Sequence, residues 1–244
     1  MATFLIAHGA WSAGWAWKKM RPLMAARGHQ LLTPTYTGLG ERVHLATPDI
    51  GLDTHIEDVL RVLEFEDMRD VFLVGHSYGG MVATGVADRL PERLAQLVYL
   101  DAFVPGDGQS LFDLQPPQVR TRMRESARTS GDGWRIPPNP SPPDTSEADL
   151  AWVTPRRVMH PLKAFEQPIR LTGAGGRLPR TYAYCTRLPP GDPFGAFARR
   201  ARSDPGWRYA ELDASHSPNI TAPEALAGLL DQLAAASASA NLRP

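Results

Sequence analysis

The chain has 244 residues, enough for one well-buried core with room for an inserted segment. Lysine plus arginine number 26 and aspartate plus glutamate number 26, so no net charge draws the protein toward phosphate backbones or anionic lipid, and nucleic acid is excluded as an expected partner. No run nears the roughly 18–20 apolar residues of a membrane span, the first residues lack the basic region of a signal peptide, and a single cysteine, Cys185, offers neither an internal disulfide nor metal-ligand spacing. The expectation is a cytoplasmic protein that needs no metal or cofactor, acts on a small molecule and is a monomer or homodimer.

Short β-rich runs alternate with helical patterns, which predicts a mainly parallel, doubly wound α/β sheet covered on both faces. Thr3 to Ala7 reads as a first strand, followed by a helix from about Trp15 to Arg27 closed by Gly28, and a strand over His29 to Thr33. Ile56, Val59, Leu60 and Leu63 recur at helical spacing, with Asp53 or Thr54 available as N-cap. Asp70 to His76 holds a continuous apolar run, as a strand buried on both faces would; Gly79 to Leu90 reads as a helix and Leu94 to Asp101 as the next strand.

The alternation stops between about Phe103 and Gly176, where prolines cluster at 137, 138, 140, 142 and 143 around short helical patches such as Glu147 to Val153. A structureless stretch of that length is unusual inside a compact domain, so residues 103–176 are expected to form a cap or lid over a core built from 1–102 and 177–244. The rhythm resumes with strand Arg180 to Thr186, a helix near Phe194 to Arg202, strand Trp207 to Leu212 and a last helix from about Pro223 to Ala235. The final residues from Ser237 are expected to fray.

Gly75-His76-Ser77-Tyr78-Gly79 fits G-x-S-x-G, and it stands where a predicted strand meets a predicted helix. Glycines there permit a tight turn that pushes the serine hydroxyl outward, with helix N–H groups facing the reacting carbonyl. A serine hydroxyl is a poor nucleophile until a base takes its proton. Among the seven histidines His216 is best placed, because it follows the last strand and precedes the last helix, at the strand edge where open α/β sheets bind ligands. His8 and His76, flanking glycine turns, are expected to shape the site by hydrogen bonding; His29, His44, His55 and His160 are read as surface or structural.

Nucleophile, acid, histidine is the chain order of this constellation, so the acid lies between Ser77 and His216. Asp101 ends the strand after that of the nucleophile and is preferred, since a buried carboxylate there needs a partner such as an imidazole N–H. Asp192, after the later strand, is the rival. Backbone N–H groups of Ala10 and Tyr78 are assigned as the oxyanion hole, and Trp11, Tyr78, Phe103 and Trp152 are candidate walls of an apolar pocket.

The motifs Ala7-His8-Gly9-Ala10-Trp11, Gly14-Trp15, Trp17-Lys18, Gly28-His29, Gly75-His76-Ser77-Tyr78-Gly79-Gly80 and Ser215-His216 carry a resemblance. The chain resembles the α/β-hydrolase superfamily, within it the plant methylesterases, salicylate-binding esterases, hydroxynitrile lyases and related bacterial esterases. That resemblance implies the same oxyanion pair, Ala10 and Tyr78. It also implies an aspartate just after the strand ending at Thr186, where Leu188 stands instead; Asp101 looks like the arrangement of some haloalkane dehalogenases, whose acid ends the strand after the nucleophile's. Dehalogenases and epoxide hydrolases attack with aspartate, so Ser77 argues for acyl chemistry. Similar hydroxynitrile lyases carry a lysine after the histidine and a threonine after the first-strand histidine, where this chain has Ser217 and Gly9.

The expected protein is thus a cofactor-independent serine hydrolase in which Ser77 forms an acyl-enzyme, His216 moves the proton and Asp101 orients His216. A small carboxylic ester is the expected substrate; a carbamate, amide or thioester, or a tailoring cyclisation, would use the same residues. A small-molecule binding protein or receptor with a slow triad is the alternative of a different class.

Overall fold

Strand β1 (Thr3–Ala7) leads through a 3-10 turn at Gly14–Trp17 into α1 (Met20–Ala26), β2 (Gln30–Leu32), α2 (Leu52–Phe65), β3 (Val71–His76), α3 (Gly79–Arg89) and β4 (Leu94–Leu100). The insertion then carries α4 (Pro117–Ser130), β5 (Arg135–Ile136), α5 (Glu147–Val153), β6 (His160–Pro161) and α6 (Lys163–Glu166). Alternation resumes with β7 (Arg180–Cys185), α7 (Gly195–Ser203), β8 (Trp207–Leu212), α8 (Pro218–Thr221) and α9 (Pro223–Ala240). This computed structural model describes residues 1–187 and 191–240, with backbone alone over 238–240.

Six strands pair in parallel in the order β2-β1-β3-β4-β7-β8. The chain winds outward from β1 to β2, then returns to place β3 on the other side of β1. A crevice therefore opens between the loops that follow β1 and β3, the position where open α/β sheets hold ligands. Side chains alternate between two apolar layers: Leu5, Leu73 and Leu97 point to one, Phe4, Ile6, Phe72, Val74 and Val98 to the other. Because helices cover both faces, every residue of β3 is buried. Helix α2 buries Leu52, Ile56, Val59, Leu60 and Leu63 in the first layer, each fully buried aliphatic contributing about 1.5–3 kcal/mol.

The insertion does not close a core of its own. Its buried residues Phe112, Met123, Ala127, Ile136 and Phe165 join the same apolar layer as α2 and α3. Strands β5 and β6 form a separate antiparallel ribbon in which Ile136 lies opposite His160. Among the described residues no helix is long and apolar enough to cross a membrane.

Three local expectations need correction. The single helix expected over Trp15 to Arg27 is broken into a 3-10 turn and α1, because Pro22 has no N–H to donate and fits only in a first turn, so the α-helix begins just before it. Helix α2 takes Gly51 as its N-cap, not Asp53 or Thr54; the Thr54 hydroxyl instead accepts from the Gly51 N–H at 3.4 Å, and the Asp53 N–H donates to Gln167 of the insertion at 3.1 Å. Helix α9 continues past Ala235 to Ala240, as its alanine-rich sequence favours, so Ser237 to Ala240 is helical; residues 241–244 lie outside the described residues.

Candidate active site

Ser77 sits directly beyond β3 with φ +56°, a left-handed conformation that a non-glycine residue holds only when its surroundings enforce it. Here they do. The Ser77 N–H donates to the Leu100 carbonyl at 3.3 Å, and the Ser77 carbonyl accepts from Gly80 at 3.0 Å and Phe103 at 3.2 Å. Helix α3 approaches β1 so closely at Gly79 that a Cβ there would fall on the Ala7 carbonyl oxygen. The glycines on either side of the serine thus let a strand, a sharp turn and a helix pack within backbone contact.

His216 comes from the loop between β8 and α8. Its Nε2 is 3.0 Å from Ser77 Oγ and its Nδ1 is 2.7 Å from Asp101 Oδ2. Asp101 follows β4 with φ +42°, its N–H donating to Ala183 at 2.8 Å; the residue is 3% exposed, and its other carboxylate oxygen accepts from the Cys185 N–H at 3.3 Å. A hydroxyl, an imidazole and a buried carboxylate in one hydrogen-bonded row have a definite chemistry. In such a row a carboxylate can hold the proton on Nδ1, leave Nε2 able to take a hydroxyl proton, and stabilise the imidazolium that would result.

Asp192 lines the same cavity, but its carboxylate has other partners. Its Oδ2 accepts from the Tyr184 hydroxyl at 2.7 Å and its Oδ1 from the Phe194 N–H at 2.8 Å. It orders the loop that lays Phe194 over the His216 ring, with centroids 4.8 Å apart and planes 12° apart. Leu188, where the resemblance implies an acid, lies outside the described residues.

Four other histidines, His8, His55, His76 and His160, are buried. Burial, and next the neighbouring His216, lower the pKa of His76 to about 3, and its ring donates from Nε2 to the His216 carbonyl at 2.7 Å. Burial lowers His8 to about 4; its Nδ1–H donates to Gly9 at 2.9 Å and its Nε2 accepts from the Tyr36 N–H at 3.3 Å. His55, lowered to about 3 by burial, accepts the Tyr78 hydroxyl proton at 2.8 Å. Tyr78 is thereby fixed beside Ser77, its own pKa pushed well up by burial.

Ala10 and Tyr78 both line the cavity beside Ser77, and among the described residues neither backbone N–H donates to a protein acceptor. A Cβ on Gly9 would come within 3.2 Å of Ser77 Cβ, which shows how closely the loop after β1 passes the serine. The cavity has a volume of about 590 Å³, and its apolar wall includes Trp11, Trp15, Phe103, Met123 and Phe165. The proline-rich segment from Asn139 to Thr145 forms another part of the wall. Trp152 corrects an expectation: it packs edge-on against Trp15, with centroids 5.5 Å apart, and its neighbour Val153 reaches the cavity instead. Sequence reasoning missed Phe194 over His216 and His160 at Trp11, whose placement depends on the folding of irregular segments that leave no periodic signal.

The alpha/beta hydrolase family model matches residues 4–229. The chain belongs to the α/β-hydrolase family. This α/β-hydrolase is 39% identical to a carbendazim hydrolyzing esterase of Nocardioides sp. (strain SG-4G), over 96% of its own length and 100% of that protein. It is 30% identical to salicylic acid-binding protein 2 of Nicotiana tabacum, over 48% of its own length and 46% of that protein. Among solved structures it is similar to an extracellular α/β-hydrolase from a Paenibacillus species, described as sharing structural and functional homology with the tobacco protein. There the TM-score is 0.82 and the identity 25%, with 95% of this chain and 98% of the other covered.

Proposed function

We propose that this enzyme, an ester hydrolase of the α/β-hydrolase family, works through Ser77, His216 and Asp101. The observation that carries the reading is the row of two contacts, 3.0 Å from Ser77 Oγ to His216 Nε2 and 2.7 Å from His216 Nδ1 to Asp101. As Ser77 Oγ attacks the carbonyl carbon of a small ester, its proton passes to Nε2 and the carbonyl oxygen gains negative charge. The N–H groups of Ala10 and Tyr78 receive that charge. Collapse expels the alcohol, which takes the proton from Nε2 and leaves an acyl-enzyme. Water then attacks, giving its proton to Nε2, and the second collapse releases the acid and returns the proton to Ser77. Residues 103–176 act as the cap that shapes the acyl pocket.

A fluorophosphonate probe tests this reading. It should attach covalently to Ser77 alone, and labelling should vanish in Ser77→Ala. Aryl esters, aryl carbamates and carbendazim, the compound in the name of the similar Nocardioides esterase, form the first substrate panel. If the folded protein takes up no probe and cleaves no member of the panel, a binding protein on this fold is the better description.

A further inference from the structure

We infer that His160 is a positioning residue: its ring, together with Ile136, clamps Trp11 and so sets the Ala10 N–H toward the carbonyl oxygen of the substrate. The inference rests on the serine-hydrolase reading above. Trp11, the residue after Ala10, has φ +56°, and nothing local to a tryptophan favours that conformation. Two contacts from the cap hold it. The Trp11 backbone N–H points to His160 Nδ1 at 3.4 Å, and the indole Nε1–H donates to the Ile136 carbonyl at 2.7 Å. Ile136 and His160 are the paired residues of the β5–β6 ribbon, so one rung of that ribbon grips both the main chain and the side chain of Trp11.

The chemistry of the ring supports the direction of the first contact. His160 is fully buried, and desolvation, aided by His55 and His8, drives its pKa well below the ordinary value, so it carries one ring proton. With Nδ1 accepting from Trp11, that proton is on Nε2. Among the described residues Nε2 has no hydrogen-bond partner, and the ring stands edge-on to Tyr78 at 4.8 Å and to His55 at 5.4 Å between centroids. A buried imidazole that leaves one nitrogen without a partner is a costly way to fill space. Among the described residues, the polar contact its ring makes is with the loop that carries Ala10. Using the Trp11 N–H in this contact fixes the plane of the Ala10–Trp11 peptide, while Ala10 lines the cavity and, among the described residues, its own N–H has no protein acceptor.

Three replacements at His160 test the clamp on the full-length enzyme. Asn presents an acceptor at the δ position, where it can still meet the Trp11 N–H. Phe fills the space without an acceptor, and Gln carries its oxygen one atom too far. His160→Phe and His160→Gln should lose about 10- to 100-fold in kcat with KM within about threefold, a smaller loss than deleting an oxyanion donor outright. His160→Asn should recover to within about fivefold of wild type. Affinity for a trifluoromethyl ketone, which forms an oxyanion on Ser77, should fall in parallel with kcat, and affinity for the product carboxylic acid should not.

Should His160→Phe fail to fold, His160→Gln carries the comparison. Unchanged kcat in Phe and Gln, equal losses in all three variants, or a loss confined to KM would each overturn the clamp. A wild-type protein that neither reacts with the probe nor cleaves esters would overturn the serine-hydrolase reading itself, a result separable from any of these.

Discussion

The carboxylate of Asp101 stands 2.7 Å from Nδ1 of His216, joining the end of β4 to the loop after β8 across the width of β7. The backbone makes this reach possible, because Asp101 turns to φ +42° and its N–H stays tied to Ala183 on β7. Replacing an orienting aspartate by its amide keeps the shape and favours the wrong imidazole tautomer, which costs about 10⁴ in turnover in serine proteases. Asp101→Asn should therefore lower kcat by on the order of 10² to 10⁴, and Asp192→Asn, which alters the Tyr184 and Phe194 contacts, by less than about tenfold. Steady-state kinetics on one activated ester would decide, and the reverse ranking would remove Asp101 from the proposed row.

Close packing at the Ser77 turn makes Gly79 irreplaceable for a steric reason. A methyl group there would meet the Ala7 carbonyl oxygen, a main-chain atom of β1 that the sheet holds in place. Gly79→Ala should cost about 3 kcal/mol or more, as overpacking against fixed backbone does. Gly228, in α9 with open space around its would-be Cβ, is the control: Gly228→Ala should gain roughly 0.5–1 kcal/mol. Urea midpoints would show both signs, and equal shifts would contradict the packing account.

What the sequence makes legible follows from the range of the interactions involved. The turn at Ser77 is readable because an apolar run, a glycine pair and a helical pattern lie next to one another in the chain. Asp101 is readable as the end of a strand. The Trp11–His160 contact joins the loop after β1 to the segment between β4 and β7, and no periodicity encodes how that segment folds. Trp152 misleads for the same reason: a half-buried aromatic in an irregular segment gives no sign of which wall it faces, and Trp15 claims it. The N-cap of α2 is set by Gln167, far along the chain, whose side chain occupies the space a Cβ on Gly51 would need.

Asp88 ties the return of the insertion to α3. A carboxylate near the C-terminal end of a helix is unfavourable to the helix dipole, so its partners must outweigh that cost. It accepts from the Thr172 N–H at 2.6 Å, the Thr172 hydroxyl at 3.0 Å, Gly173 at 2.8 Å and Gly175 at 3.4 Å. Burial pushes its pKa up, and these hydrogen bonds together overcome that to hold it below the ordinary aspartate value. Asp88→Ala leaves several N–H groups without an acceptor and should destabilise by about 2–4 kcal/mol. Limited proteolysis should then cut first near residues 172–176; unchanged melting and an unchanged cleavage pattern would show that the tether contributes nothing.

Acid should unfold this protein early, because four of its histidines are buried without charge. Desolvation lowers His8 to about 4, His55 and His76 to about 3, and His160 well below its ordinary value. In the unfolded chain each titrates near pH 6.5. Below that pH the unfolded state binds protons that the folded state refuses, so stability is whole above about pH 6.5 and declines as pH falls toward the folded values. One such histidine changes stability by up to about 1.4 kcal/mol per pH unit, and four together by on the order of 5 kcal/mol per unit. Against a total of about 5–15 kcal/mol, the drop should reach global unfolding between about pH 4 and 5, before the depressed carboxylates Asp88 and Asp113 are protonated. Urea unfolding at about pH 8, 6 and 5 would give the slope. His55→Gln should flatten that slope by about one proton, since it removes one refused site. A protein equally stable at pH 8 and pH 5 would mean that these rings can take up protons where they stand.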